Sequence, residues 1–376
     1  MKVSVRLASM LAAIGCLLSA CGSGETPPTS QPTPTQPPVQ IEPAEPTYTL
    51  KEDVHPYTGL QKGPDYPEGK RGVAVMVNNV KTALPQSGIN SADLVYEMVT
   101  EGGITRLMAV FRDTAAMPVV GPIRSARDQH VQLAIPLNCL YAHIGGSTYA
   151  LDMLDVFKYP DRLSINGKYK NFYWIDAERR KTMDQDACVY TDGTTFADAV
   201  ERYGLDSEGE PLPVFNFLPY DQPARQLTGG EARRIDIRFS GYEDSSLTYD
   251  AASGRYQKSE FNQPQIDTAD DNRIYSADNV FVLFTEIGSY PDRVLARVSL
   301  ENGAGLYLHG GRYERVRWMK GSGEQPLRIV DNEGKEKDVV INPGTSYVAV
   351  VGLDQVEYCK VDGKSLDELF RDDGVA

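Results

Sequence analysis

Residues 73–111 contain three apolar runs, Val73–Val77, Leu94–Val99 and Thr105–Phe111, that read as buried strands rather than half-solvated ones. Glu101-Gly102-Gly103 separates the second from the third, and a glycine pair between such runs predicts a hairpin. Val119-Val120 then leads through Gly121-Pro122 into Arg124-Ser125-Ala126-Arg127-Asp128. Ser125 and Asp128 have the spacing of a capping box, so a helix is expected to start near Ala126 and to end or kink at Pro136. Cys139–His143 is the next strand, and Gly145-Gly146-Ser147 opens a second helix with Ser147 as N-cap. Ala150, Met153, Leu154 and Phe157 form its apolar stripe. Thr195 and Asp198 mark a third capped helix, ending near Tyr203. Strands alternating with helices predict an α/β (or α+β) layer domain over residues 56–210.

The pattern then changes. Asn279–Phe284, the pair Gly305–His309 and Arg312–Trp318 about Gly310-Gly311, Lys337–Ile341 and Ser346–Val351 are short strand signals separated by turns. They predict a smaller, mostly-β domain over 215–360, followed by a short polar helix and tail over 361–376. Tyr307, Tyr313, Trp318 and Tyr347 are expected mainly as aromatic packing of this domain, with a ligand-binding face as the alternative.

Ahead of the folded part lies an address. Lys2 and Arg6 precede the mostly apolar Leu7–Leu18, a secretory signal over residues 1–20 that is too short to span a bilayer. It ends in Leu18-Ser19-Ala20-Cys21, which resembles the bacterial lipobox and implies cleavage before Cys21 and a diacylglycerol on its sulfur. Two acyl chains hold a protein on a membrane where one is marginal. Residues 22–48 carry eight prolines and neither Lys nor Arg, so residues 21–55 are expected to be an extended tether. At ~3.1 Å per residue, residues 22–48 reach on the order of 80 Å. The expected location is the outer, extracytoplasmic face of the cell membrane.

Charge narrows the partners. With 38 Lys plus Arg against 52 Asp plus Glu, the chain has a formal net charge of −14, which opposes generic nucleic-acid binding. The five cysteines include no CxxC pair, and the three beyond Cys21 and the signal, Cys139, Cys188 and Cys359, fit free buried thiols better than a disulfide framework. No cofactor is expected.

Several of these segments occur together in one order: Val73–Asn79, Pro85-Gln86-Ser87-Gly88, Ala92–Glu97, Glu101–Arg106, Gly121–Asp128 and His143–Ser147, then more loosely Ala277–Val280, Gly305–Tyr307 and Asn342-Pro343-Gly344. The set resembles the YerB-type lipoproteins, a family with an N-terminal domain of unknown function and a smaller C-terminal one. The resemblance covers nearly all of the chain after the tether and implies the two-part organisation. It supplies no activity.

The chemistry-bearing residues gather at the two helix starts. Helix N-termini expose unpaired N–H groups that attract anions, yet Arg124 and Arg127 stand there, where a cation is locally unfavourable. Either an external anion lies between them, or a carboxylate of the chain does, Asp128 or Glu97 being the candidates. The Gly145-Gly146 turn and Ser147 repeat the geometry beside His143, a candidate acid–base group or a structural residue. Arg106, Glu97, Glu101 and Asp93 flank the first hairpin, as ion pairs, acid–base carboxylates or cation ligands, though their spacing matches no known metal loop and no metal is expected. Asn78, at a strand end, is a further hydrogen-bonding candidate. The preferred reading is a membrane-anchored lipoprotein whose α/β domain binds an anionic or polar envelope ligand. The alternatives are a phosphoryl or pyrophosphate-transfer enzyme and a lipoprotein that assembles with another protein.

Overall fold

The computed structural model describes residues 48–157, 162–164, 172–333 and 335–371, so the expected signal, lipobox and most of the tether fall outside the described residues. The first three apolar runs form β1 (Val73–Asn78), β2 (Leu94–Val99) and β3 (Thr105–Phe111). Then come the helix α1 (Asp128–Ala134), β4 (Leu140–His143), α2 (Thr148–Val156), β5 (Arg162–Ser164) and α3 (Gly193–Tyr203). The strands that follow are β6 (Arg234–Arg238), β7 (Asp244–Asp250), β8 (Arg255–Glu260), β9 (Asn279–Thr285), the hairpin β10 (Ile287–Ser289) and β11 (Ala296–Val298), β12 (Asn302–His309), β13 (Arg312–Met319), β14 (Arg328–Val330) and β15 (Ser346–Gly352). The helix α4 (Leu366–Phe370) closes the described chain.

An α/β region is thus followed by a mostly-β one, and the two share a sheet. One eleven-stranded sheet runs β14-β13-β12-β9-β15-β2-β3-β1-β4-β5 along its main path. β15 lies parallel both to β9, with Ser346 opposite Asn279, and to β2, with Ser346 opposite Leu94. It is the seam between the regions, and the described residues form a single compact unit. Because both faces of this sheet are covered at its centre, β1, β9 and β15 are mostly apolar and buried at every residue. Val73, Val75 and Val77 enter one core, while Ala74 and Met76 enter the other. The first face is covered by α3 and a second, seven-stranded sheet built on β6–β8, through Phe196, Ile235, Ile237, Leu247 and Tyr256. The opposite face is covered by α1 and α2 through Val131, Leu133, Ala150 and Leu154.

Several local expectations are corrected. α1 begins at Asp128 with Arg127 as an N-cap that makes no side-chain cap bond, because residues 124–126 are held extended: Arg124 N donates to Met76 O (2.9 Å) and Ala126 N to Gly145 O (3.0 Å). α3 is capped by Asp192, which accepts from Thr195 N, rather than by Thr195. Lys337–Ile341 makes only isolated bridges at Asp338 and Ile341 and forms no strand. The closing helix is anchored rather than polar, since Leu366 and Phe370 are fully buried. Tyr307, Trp318 and Tyr347 are core residues, and Cys139, Cys188 and Cys359 are free and buried.

Candidate functional site

The two corners named in the sequence are neighbours, and they bond to each other. Ala126 N donates to Gly145 O (3.0 Å), Ile144 N to Arg124 O (3.0 Å) and Ser147 N to Ala126 O (3.2 Å). Ser147 is the N-cap of α2, its hydroxyl accepting from Ala150 N (3.1 Å), and Gly145 takes the left-handed backbone (φ 62°) that a side chain would resist. His143, at the end of β4, places Nδ1 2.6 Å from Gly145 O and so braces the same turn. The amides of Ala126, Ile144 and Ser147 therefore pair within the fold.

The arginines are drawn together by a different carboxylate from those proposed. Arg106 and Arg127 converge on Glu101, in the β2–β3 turn. Arg127 Nε donates to Oε2 (2.9 Å) and Nη2 to Oε1 (2.8 Å), and Arg106 Nη2 also donates to Oε1. Arg127 Nη1 is spent on Ala126 O (2.7 Å). Burial would raise the Glu101 carboxyl, but the two guanidinium groups hold it down to about 2. Burial, with Arg127 alongside, lowers Arg106 to about 9. Arg124 pairs with Asp186 (2.8 Å), and Asn78 Nδ2 donates to Asp186 O (3.1 Å) at the rim of a cleft that also contains Arg180, Lys181 and Asp184. Glu97 is not part of this group: on β2 it is in phase with Val95 and Val99, which face the second sheet, whereas Arg106 is in phase with Met108 on the helix side.

Asp128 serves a further element. Its Oδ2 accepts from the Tyr290 hydroxyl (2.7 Å), and the Tyr290 ring stacks on Tyr149 of α2 at 3.7 Å between centroids and 12° between planes. The β10–β11 hairpin is thereby pinned to the starts of both helices. Burial raises the Asp128 carboxyl, and Arg127 and Arg297 pull against that rise. At the hairpin an open cleft of about 790 Å³ is lined by Ser289, Tyr290, Pro291, Arg293 and Arg297. Both arginines are exposed, and neither forms an ion pair among the described residues. The nearby Asp292 is spent on the turn, accepting from Val294 N (2.9 Å) and Leu295 N (3.1 Å). Arg293 holds a left-handed backbone (φ 56°), a conformation that concentrates at functional sites in non-glycine residues. Tyr290, Arg293 and Arg297 were not singled out in the sequence. Their segment has no periodicity, and its place against the helices is fixed by tertiary contacts of Tyr290 with Asp128 and Tyr149.

Behind the arginines, His130 is fully buried with Nε2 3.3 Å from Arg106 O, and Nδ1 has no partner. Burial lowers its pKa to about 3. The folded chain then refuses a proton that the unfolded chain accepts near pH 6.5, so stability is complete above that pH and falls below it by ~1.4 kcal/mol per pH unit. His130→Asn is expected to remove one proton's worth of that slope between pH 6 and 4, read as the difference from the parent in denaturant titrations at several pH values. His55, lowered to about 4 chiefly by burial, adds the same sign to both proteins. Parallel slopes would contradict this assignment.

The architecture is that of a family defined by two consecutive domains. The model described as "Protein of unknown function (DUF3048) N-terminal domain" matches residues 57–206, and its C-terminal counterpart matches residues 235–348; the chain belongs to this family. It is 28% identical over 324 residues to "Putative lipoprotein YerB" of Bacillus subtilis (strain 168), covering 84% of this chain and 91% of that protein. The crystal structure of the Bacillus subtilis YerB protein superposes with a TM-score of 0.67 at 24% identity, over 79% of this chain and 96% of that one, which establishes the shared fold. Among the described residues no helix is long and apolar enough to cross a membrane.

Proposed function

We propose that the protein is lipid-anchored through Cys21 on the outer face of the cell membrane, and that its folded part binds an anionic envelope ligand bearing phosphate or carboxylate groups at the β10–β11 hairpin. The observation that carries this reading is the cleft of Tyr290, Arg293 and Arg297, which presents two exposed guanidinium groups and no carboxylate in its lining on a chain of net charge −14. The cleft at Asn78, by contrast, sets Asp184 and Asp186 against its Arg180 and Lys181. Guanidinium forks match phosphate and carboxylate oxygens in bidentate geometry, and a local basic patch captures anions that the surrounding acidic surface repels. In this reading the residues recognised in the sequence act from behind. Asp128 holds Tyr290, while Arg127, Gly145 and Ser147 fix the corner against which Tyr149 and Tyr290 stack.

Inorganic pyrophosphate and vesicles containing anionic phospholipid are the probes. Each is expected to bind the parent protein, and the paired substitution Arg293→Ala with Arg297→Ala is expected to weaken binding by about 1.5–3 kcal/mol for each charged hydrogen bond lost. Binding should also weaken as salt is raised. Calorimetry reads the first probe and vesicle flotation the second. Retained affinity in the double variant, or no binding of either probe by the parent, would remove the proposal.

A further inference from the structure

On the opposite face of the main sheet, three carboxylates meet in the interior. Glu97 of β2, Glu243 just before β7 and Glu260 of β8 bring oxygen atoms within 4.8 Å of one another, and the three residues are 0%, 0% and 1% exposed. Their donors are unevenly shared. Glu97 receives Asn79 Nδ2 (3.0 Å), Thr105 Oγ1 (2.8 Å), the Tyr347 hydroxyl (2.6 Å) and Lys258 Nζ (3.0 Å). Glu260 receives Lys258 Nζ (2.9 Å) and Asn79 Nδ2. Glu243 receives no donor at either oxygen.

A second side chain points to the same gap. Ser245 stands directly across the β7–β8 ladder from Glu260, on the face that also carries Glu243 two residues earlier. It is 5% exposed, and its Oγ has no partner. With the carboxyls ionised, three oxygens from two residues therefore lie unsatisfied beside Glu260. The charge count is equally incomplete, since one ammonium faces three carboxylates. Unpaired charge in the interior carries a desolvation penalty of several kcal/mol per ion. A single doubly charged cation would balance the count and supply the missing partner for all three oxygens.

We propose that the chain binds a divalent metal ion between its two sheets, with Glu243 and Glu260 as charged ligands, Ser245 Oγ beside them and Glu97 within reach. An all-oxygen donor set selects a hard cation of the calcium or magnesium class. The ion ties β8 and the turn before β7 to β2, and so fastens the second sheet to the first. Lys258 lies between Glu97 and Glu260, the metal lies between Glu260 and Glu243, and together their three positive charges answer the three carboxylates. The sequence alone points to no metal because the three glutamates come from separate elements and match no single ligand loop.

The test uses the full chain purified from membranes in detergent. Its metal content is measured, and its thermal midpoint is followed after chelation and after refeeding with calcium or magnesium chloride. The expected result is a single divalent ion per chain, a midpoint that falls by several degrees in chelator, and recovery with one of the two salts, because a ligand specific to the folded state stabilises it. Glu243→Gln, which keeps the shape of the side chain, should fold and lose that response. Ser245→Ala should need about tenfold more cation for the same recovery, the loss of one neutral ligand. A chain equally stable in chelator and in millimolar cation overturns the proposal and leaves a proton shared between Glu243 and Glu260 as the balance. A full cation response retained by Glu243→Gln overturns it as well.

Discussion

Glu101→Gln is expected to destabilise the fold by roughly 2–4 kcal/mol, although Glu101 lies in a turn and its side chain is 23% exposed. The reason is what it leaves behind. The Arg106 side chain is 1% exposed and that of Arg127 10%, and the carboxylate between them is shared by both guanidinium groups. A glutamine can still accept one hydrogen bond, but it cannot offset two adjacent positive charges out of water. Removing one partner of a buried pair costs ~3–5 kcal/mol, and the partial exposure of Glu101 places this case toward the lower end. The denaturation midpoint should fall with an unchanged slope against denaturant. Adding Arg127→Met to Glu101→Gln should restore part of the loss, since it removes one of the two stranded charges. The same pairing fixes a pH dependence. A carboxyl held at about 2 in the fold, against about 4.3 unfolded, contributes stability above that unfolded value and loses it as pH falls toward 2. A loss below ~1 kcal/mol for Glu101→Gln would mean that water already screens the two arginines.

Glu101 also marks the limit of what its sequence context conveys. β1, β2 and β3 are legible as strands because both faces of the sheet are buried, which leaves uninterrupted apolar runs bounded by polar or glycine turns. The cap of α2 at Ser147 is legible because capping is a local hydrogen bond. Which acidic residue meets Arg106 and Arg127 is not local. Glu97 and Asp128 are nearer in pattern, but the alternation of β2 turns Glu97 to the far face and Tyr290 engages Asp128 from 162 residues away. The seam at β15 is equally silent. Its apolar run is the same whether it closes a separate β domain or joins β2, and parallel pairing across long connections leaves no turn signal at the junction. Lys258 and Glu260 did carry a sign that could have been used. They continue the inward phase of Tyr256 on β8, so charged residues stand where an exposed-edge reading would want them outside.

That inward pair carries the other large expected effect. Lys258→Met keeps most of the side-chain volume and removes the one ammonium that, among the described residues, lies within hydrogen-bonding distance of Glu97 and Glu260, both fully buried. A hydrophobic chain in place of a whole buried ion pair is often neutral, but here the carboxylates stay and the cation goes, which costs ~3–5 kcal/mol. For a domain of ordinary stability, ~5–15 kcal/mol in all, that is a large share. The region that loosens should be β7–β8 with the turn at Glu243, because these join the main sheet through Lys258 and Asn79, whereas the Glu101 cluster lies on the other face and should be untouched. Amide exchange read by mass spectrometry separates the two: Lys258→Met should raise exchange across residues 243–260 while residues 101–130 keep the parent's protection. Glu260→Gln added to Lys258→Met should recover a substantial part of the stability by withdrawing one stranded negative charge, whereas the same Glu260→Gln in the parent should be destabilising because it breaks an intact pair. That change of sign is the signature of direct coupling. If Glu260→Gln has the same effect in both backgrounds, Lys258 does not neutralise Glu260, and the ammonium belongs to Glu97 alone.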